Sequence, residues 1–348
     1  MQSKSKKQLQ DVMIMRPIVI ILLVFMHSFT MYTGGAWPLP KGIHNVGAYN
    51  WLTQLTFSFM LETFVFISGY LLCFQIQNRG EYSYAKFLSK KVKRLLIPSI
   101  IFSLAYYLLF IQYQGISHIL QSVLNGCGHM WYLPMIFWCF VVGYIFYKLQ
   151  IPSFLKLGFC IIVCSMSGFL HFLPMQVGST CYYFLFFYLG MYFYEKREKI
   201  SLVVANKIMI TAVLFIVLFV AFILLRNYLL ALNIDAIVFK VCRLVFLSFS
   251  RMIYGFLGVI TFYWVVEKYL DRHKDFSAPT WLIWLNSISF GVYIYQQFIL
   301  KALYYHTVLP ELLGTYLLPW VGFIAAMMGS MVLSHFTIKT KFGRFLIG

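Results

Sequence analysis

The sequence predicts an all-α integral membrane protein of about ten transmembrane helices with both termini in the cytoplasm. Three observations predict it. Hydrophobic residues make up 61% of the 348 and charged residues 11%, less than half the roughly 25% of a soluble domain. Apolar runs long enough to cross a bilayer recur along the whole chain, and water does not hold such runs. Basic residues gather in alternate loops rather than spreading evenly. A disordered chain and a nucleic-acid-binding domain are excluded, and a soluble enzyme fits poorly.

The apolar runs place spans near 13–33, 54–74, 95–113, 130–147, 157–174, 177–194, 208–225, 244–266, 281–300 and 314–336. With the N-terminus inside, 21 of the 28 Lys and Arg fall in inner segments, among them Lys4, Lys6, Lys7, Arg79, Lys90, Lys91, Lys93, Arg94, Lys199 and Arg344. Five fall in outer segments, and Arg16 and Arg251 lie inside spans. This is the positive-inside pattern, so most of the net charge of +18 needs no polyanionic partner. The first run is long and lacks a small-residue cleavage site, so it is expected to be a retained span rather than a signal peptide. A short polar tail, 1–10, is expected to precede one transmembrane domain, 11–348. Seven scattered cysteines show no zinc-type spacing. Cys160 and Cys164 share a helix face and suit packing.

An ionisable side chain at membrane depth is costly and therefore informative. Arg16 and His27 are eleven residues apart, about three helical turns, so they share one face about 16 Å apart along the axis. Arg16 equally suits a snorkelling flank, and the shared face favours a common cavity. Glu62 and Arg251 lie about 11–12 Å from the outer ends of their spans, His27 about 9 Å and Gln296–Gln297 about 5–6 Å. They form a polar layer in the outer half. Glu62 is the one acidic residue inside an expected span, with His27 or Arg251 as its candidate partner. The alternatives are a structural ion pair and a general base, His27, tuned by Glu62. On the inner side, Lys86, Lys90, Lys91, Lys93 and Arg94 suit either a phosphorylated ligand or anionic lipid headgroups. Ser68-Gly69 suits a helix-packing notch. His129-Met130-Trp131-Tyr132 opens the fourth span from outside, where Trp and Tyr fit an interfacial belt.

These residues resemble the membrane-bound acyltransferase 3 family. Arg16 and His27 match its Arg-x10-His hallmark, and Phe66-Ile67-Ser68-Gly69-Tyr70 is similar to its F-x-S-G-aromatic segment. Phe87 through Pro98 resembles its basic loop, with Lys91 and Arg94 as the K/R-x-x-R element. His129 through Leu133 resembles its H-x-W-aromatic-L segment, and Thr340 through Arg344 its closing segment. Two departures stand out: Asp11 lies five residues before Arg16 rather than just ahead of it, and Gln296–Gln297 stand where relatives often carry His. Many relatives also carry an extracytoplasmic hydrolase-like domain, which is not seen here.

The resemblance implies transfer of an acyl group, usually acetyl, from cytoplasmic acetyl-CoA or another acyl-CoA to a sugar hydroxyl, without a metal. The expected partners are membrane lipid and a carbohydrate acceptor, cell-surface or polyprenyl-linked, with room for a separate extracytoplasmic partner protein. The expected location is a bacterial inner membrane. Arg16, Lys91, Arg94 and Ser68 are then the donor-binding residues. His27 is the general base or the transient acyl carrier, and Glu62 orients or charge-balances it. Arg251 and His129 are the acceptor-side candidates. The rival reading is a transporter or flippase for a lipid-linked sugar or small solute, against which the lack of a visible internal repeat counts. A membrane sensor without turnover is a third.

Overall fold

The computed structural model of the chain describes residues 2–35, 37–79, 83–204, 207–232 and 234–348, and their side chains apart from 2–9, 79 and 198–204. The inner charges expected at Lys4, Lys6, Lys7, Arg79 and Lys199 lie outside the described side chains. Among the described residues there are helices and no strand. In chain order they are α1 (Gln2–Phe29), α2 (Gly47–Arg79), α3 (Tyr84–Lys91), α4 (Ile97–Phe110), α5 (Ile116–Asn125), α6 (Tyr132–Lys148), α7 (Ser153–Ser165), α8 (Val177–Val204), α9 (Ile208–Ala231), α10 (Ile237–Arg272), α11 (Thr280–Tyr305), α12 (Leu309–Thr337) and α13 (Lys341–Ile347). Among the described residues, seven helical segments are long and apolar enough to cross a membrane: Gln10–Thr33, Gly47–Asn78, Tyr84–Phe110, Gly128–Lys148, Ile208–Ala231, Ile237–Arg272 and Leu309–Thr337. The chain is a multi-pass membrane protein.

Each expected span falls on a helix, with differences that have local causes. α2 begins seven residues early, at Gly47, because its first two turns are polar and aromatic and leave no hydropathy signal. The fifth expected span is only the 13-residue α7, which ends at Ser165 before Ser167-Gly168. That is about 20 Å of helix against a hydrocarbon core of about 30 Å. α8 and α11 are long enough but too rich in Tyr and polar groups to reach the hydropathy of a span. Eight consecutive α8 residues, Tyr182 to Leu189, are all buried. A helix buried on every side sits in the middle of its bundle; it faces other helices rather than lipid and tolerates hydroxyls that find partners.

α8 packs along α2, α6 and α7, while α1 lies among α2, α10, α11 and α12. The α2–α8 crossing is glycine-dependent. A Cβ on Gly69 would collide with the Phe187 carbonyl, and one on Gly190 with the Phe66 carbonyl. Small residues let two backbones touch where hydrophobic association gives no drive. α9 docks on α10 and leaves Met209, Val213, Val217 and Leu224 exposed, the side suited to lipid.

Candidate active site

A cavity of about 470 Å³ opens between α1, α2, α3, α6 and α11. One face of α1 supplies Arg16, Ile20 and Leu23 to its wall, and His27 continues that face one turn further. Cations line one end: Arg16, Lys90, Lys91 and Arg94. Arg94 sits in a π turn, Val92–Leu96, joining α3 to α4. Pro98 follows one residue after the turn, and a proline has no N–H to continue the α-helical ladder. Such single-turn bulges re-aim side chains, often at functional sites. Arg94 is solvent-exposed, while Arg16 is half-buried. Lys91 is engaged differently: its Nζ lies 3.3 Å from the Phe140 ring centroid. The expected donor-binding residues therefore share one cavity, but Lys91 already rests on an aromatic face. Ser68 lines the same wall within reach of the Tyr132 hydroxyl, while its neighbour Gly69 makes the helix crossing. The Ser68-Gly69 pair thus divides into a cavity residue and a packing residue.

Tyr132 and Tyr293 also line the cavity, and behind them lies a histidine pair. The His27 and His129 rings are 6.2 Å apart, edge to face. His129 Nε2 is 3.0 Å from the Ile294 carbonyl oxygen. A carbonyl only accepts, so this nitrogen carries the proton and Nδ1 keeps a lone pair. The Tyr293 hydroxyl donates to the His129 carbonyl, and the Tyr293 ring packs 5.1 Å from the imidazole. His129 is thereby fixed in position and tautomer. The Gln296 side chain reaches the His27 ring, and Gln297 reaches His129. All four side chains are buried. The sequence registers the two glutamines as a family departure and as members of the same outer polar layer as His27, about 5–6 Å from the outer end against about 9 Å. Nothing local marks the Tyr293 clamp or the Ile294 carbonyl.

Glu62 is fully buried, and its Oε1 accepts from Arg251 Nη2 at 3.3 Å and from the Tyr182 hydroxyl at 3.2 Å. Arg251 also donates to the Tyr183 hydroxyl at 2.9 Å and lies over the Tyr182 ring. Of the two partners considered for Glu62, the structure selects Arg251. Glu62, expected to orient or charge-balance His27, and His27 itself have different polar neighbours here: those at His27 are Gln296 and His129. The reason is rotational, since the hydrogen bonds of Glu62 run to α8 and α10 while His27 meets α11. Arg251 joins this ion pair rather than the histidine cluster. Trp131, two residues after His129, has its ring 5.9 Å from that of Tyr183.

Asp11, to which the sequence assigned no role, is buried and accepts from the Tyr70 hydroxyl at 2.8 Å and the Val12 amide at 2.7 Å. Arg197 also reaches Tyr70. This tie fastens α1 to the end of the Phe66–Tyr70 segment and so holds the Arg16 turn beside Ser68.

A family model described as an acyltransferase domain, that of the acyltransferase 3 family, matches residues 10–338. No curated protein and no solved structure matches the chain.

Proposed function

The chain belongs to the acyltransferase 3 family, and on that footing we propose that it is a membrane O-acyltransferase. It moves an acyl group, acetyl in the first instance, from cytoplasmic acyl-CoA to a hydroxyl of a cell-surface or lipid-linked carbohydrate. The chain crosses a bacterial inner membrane about ten times with both termini inside, α7, α8 and α11 completing the set of seven. The observation that carries this reading is the single face of α1, which brings Arg16 into the cavity wall with Lys90, Lys91 and Arg94 and carries His27 one turn past Leu23. Arg16 and Arg94 hold the donor phosphates, Lys91 adds charge at the rim, and Ser68 with Tyr132 lines the path of the donor's extended arm. Guanidinium groups suit this task because their forked donors match phosphate oxygens.

His27 takes the proton from the acceptor hydroxyl as the hydroxyl oxygen bonds to the acyl carbonyl carbon. The tetrahedral adduct then collapses: the C–S bond breaks, its electron pair leaves on sulfur, and the thiolate recovers the proton from the His27 imidazolium. One ester forms, one thioester breaks, and the histidine returns to its starting state.

The test is the purified chain in nanodiscs with acetyl-CoA labelled on the acetyl group. Release of CoA and movement of label should vanish in His27→Ala while the variant stays folded. Full activity in that variant removes the assignment. Solute transport without consumption of acyl-CoA favours the transporter reading instead.

A further inference from the structure

The closing segment, Thr340 to Arg344, lines no part of the cavity. It opens α13, which begins only four positions after Thr337, the last residue of a membrane-spanning segment. The Thr340 hydroxyl accepts from the Gly343 amide at 2.9 Å, and a Cβ on Gly343 would collide with the Thr337 carbonyl. α13 is thus tied to the end of α12, at the depth where hydrocarbon gives way to headgroups.

The residues of α13 sort by side. Gly343, Leu346 and Ile347 are buried, and the helix packs on α4, α11, α12 and the π turn Val92–Leu96. Lys341, Phe342, Arg344 and Phe345 are exposed, Phe342 at 66%. At about 100° per residue, Arg344 and Lys341 fall side by side on one half of the exposed arc, and Phe345 and Phe342 on the other. Bare phenyl rings beside cations suit neither water alone nor hydrocarbon alone; they suit the boundary between the two. The neighbouring surface agrees. Leu317, Ile324, Met328, Val332 and Phe336 are exposed along one stripe of α12, the side suited to lipid. At its end Lys339 Nζ lies 5.2 Å from the Phe336 ring centroid.

The charge here is unbalanced. Among the described side chains, Lys339, Lys341 and Arg344 form no ion pair with a carboxylate. Arg344 Nε donates to the Ile338 carbonyl at 3.2 Å, which holds the side chain in place and leaves both Nη groups for an oxyanion. Cations and phenyl rings set side by side fit a molecule with an anionic head and an apolar tail.

We propose that Lys339, Lys341 and Arg344, with Phe336, Phe342 and Phe345, bind an anionic phospholipid, its phosphate on the cations and its acyl chains along the phenyl rings and the α12 stripe. This binding does not rest on the acyltransferase reading; only the choice of leaflet follows the topology, which puts Lys339 inside. The bound lipid braces the back of the cavity. α13 packs on the π turn that carries Arg94, and a Cβ on Gly291, next to the cavity residue Phe290, would strike Ile347.

The probe is phosphatidylglycerol, with phosphatidylcholine of the same chains as the neutral control. Each is titrated onto the delipidated full chain in neutral detergent and counted by native mass spectrometry. A cation near an anionic lipid surface is worth about fivefold in binding, so Lys339→Gln/Lys341→Gln/Arg344→Gln should weaken phosphatidylglycerol about a hundredfold and leave phosphatidylcholine unchanged. Lys339→Gln/Lys341→Gln, which spares the Arg344 bond to α12, should lose about twenty-fivefold. Three charges removed elsewhere, in Lys268→Gln/Arg272→Gln/Lys274→Gln, should change nothing. Equal loss in that variant, or equal binding of the two lipids, overturns the site. Hydrogen exchange locates the lipid: phosphatidylglycerol should slow exchange over 338–347 and 92–96 in the native chain and not in the triple variant. Slowing confined to other segments overturns the proposal. So does inorganic phosphate that protects as well as the lipid, which makes this a free-phosphate site, or a dimer that the triple variant dissolves, which gives the face to a second copy.

Discussion

At the scale of single residues, two cations of one motif come apart. Arg94 is exposed on the π turn, whereas the Lys91 ammonium is seated on Phe140. Charge-assisted hydrogen bonds to a phosphate are worth about 1.5–3 kcal/mol. Arg94→Ala should therefore raise the KM for acetyl-CoA about tenfold or more with kcat little changed; initial rates against donor concentration check this, and an unchanged KM removes the phosphate role. Lys91→Met should affect KM less and thermal stability more, since its cation–π contact is worth about 1–2 kcal/mol. Glu62 behaves differently again. Glu62→Ala strands a half-buried guanidinium that keeps only its tyrosine contacts and should cost about 1–3 kcal/mol, read as a lower melting temperature in detergent. Glu62→Ala with Arg251→Ala should recover part of the loss, and an additive double variant would contradict the pairing. The residues of this pair were legible in the sequence as polar atoms at membrane depth. Their partnership was legible only as one of two alternatives, because which way each helix turns its polar atom is settled by neighbours far away in the chain.

At the scale of helices, the α2–α8 crossing carries the prediction. Gly69 and Gly190 each meet a carbonyl of the opposite backbone, and neither helix can yield without moving the whole crossing. Gly69→Ala and Gly190→Ala should each destabilise by about 1–3 kcal/mol, the usual cost of overpacking. Ser68→Ala, one residue along but facing the cavity, should leave the melting temperature nearly unchanged and weaken donor binding. Equal thermal effects of Ser68→Ala and Gly69→Ala would show that the segment is not divided this way. The sequence marks Ser68-Gly69 as small and polar; only the rotation of α2 says which residue packs and which faces the cavity.

At the scale of the whole molecule, the bundle has two ends. Lys41 and Glu311 come within 3.7 Å of each other at one end, although 270 residues separate them in sequence. A ten-span arrangement puts this end outside and Lys274 and Lys339 inside. In a background without the seven native cysteines, Lys41→Cys should react with an impermeant thiol reagent on intact cells. Lys274→Cys should react only after the membrane is opened. The opposite pattern inverts the topology.

The helical fold class, the position of nearly every long helix and the common face of Arg16 and His27 followed from the chain alone. Hydropathy and the 100° turn are local properties, complete within one segment. The brevity of α7 and the early start of α2 escaped because a hydropathy window measures apolar length, not where a helix starts and stops. The site needed the tertiary structure. Glu62 turned to Arg251, Gln296 and Gln297 came to the histidines, and Asp11 found Tyr70. Each of these pairings joins segments at least 59 residues apart, and each depends on the relative rotation of packed helices. No single segment carries that rotation; it emerges only when the helices pack against one another.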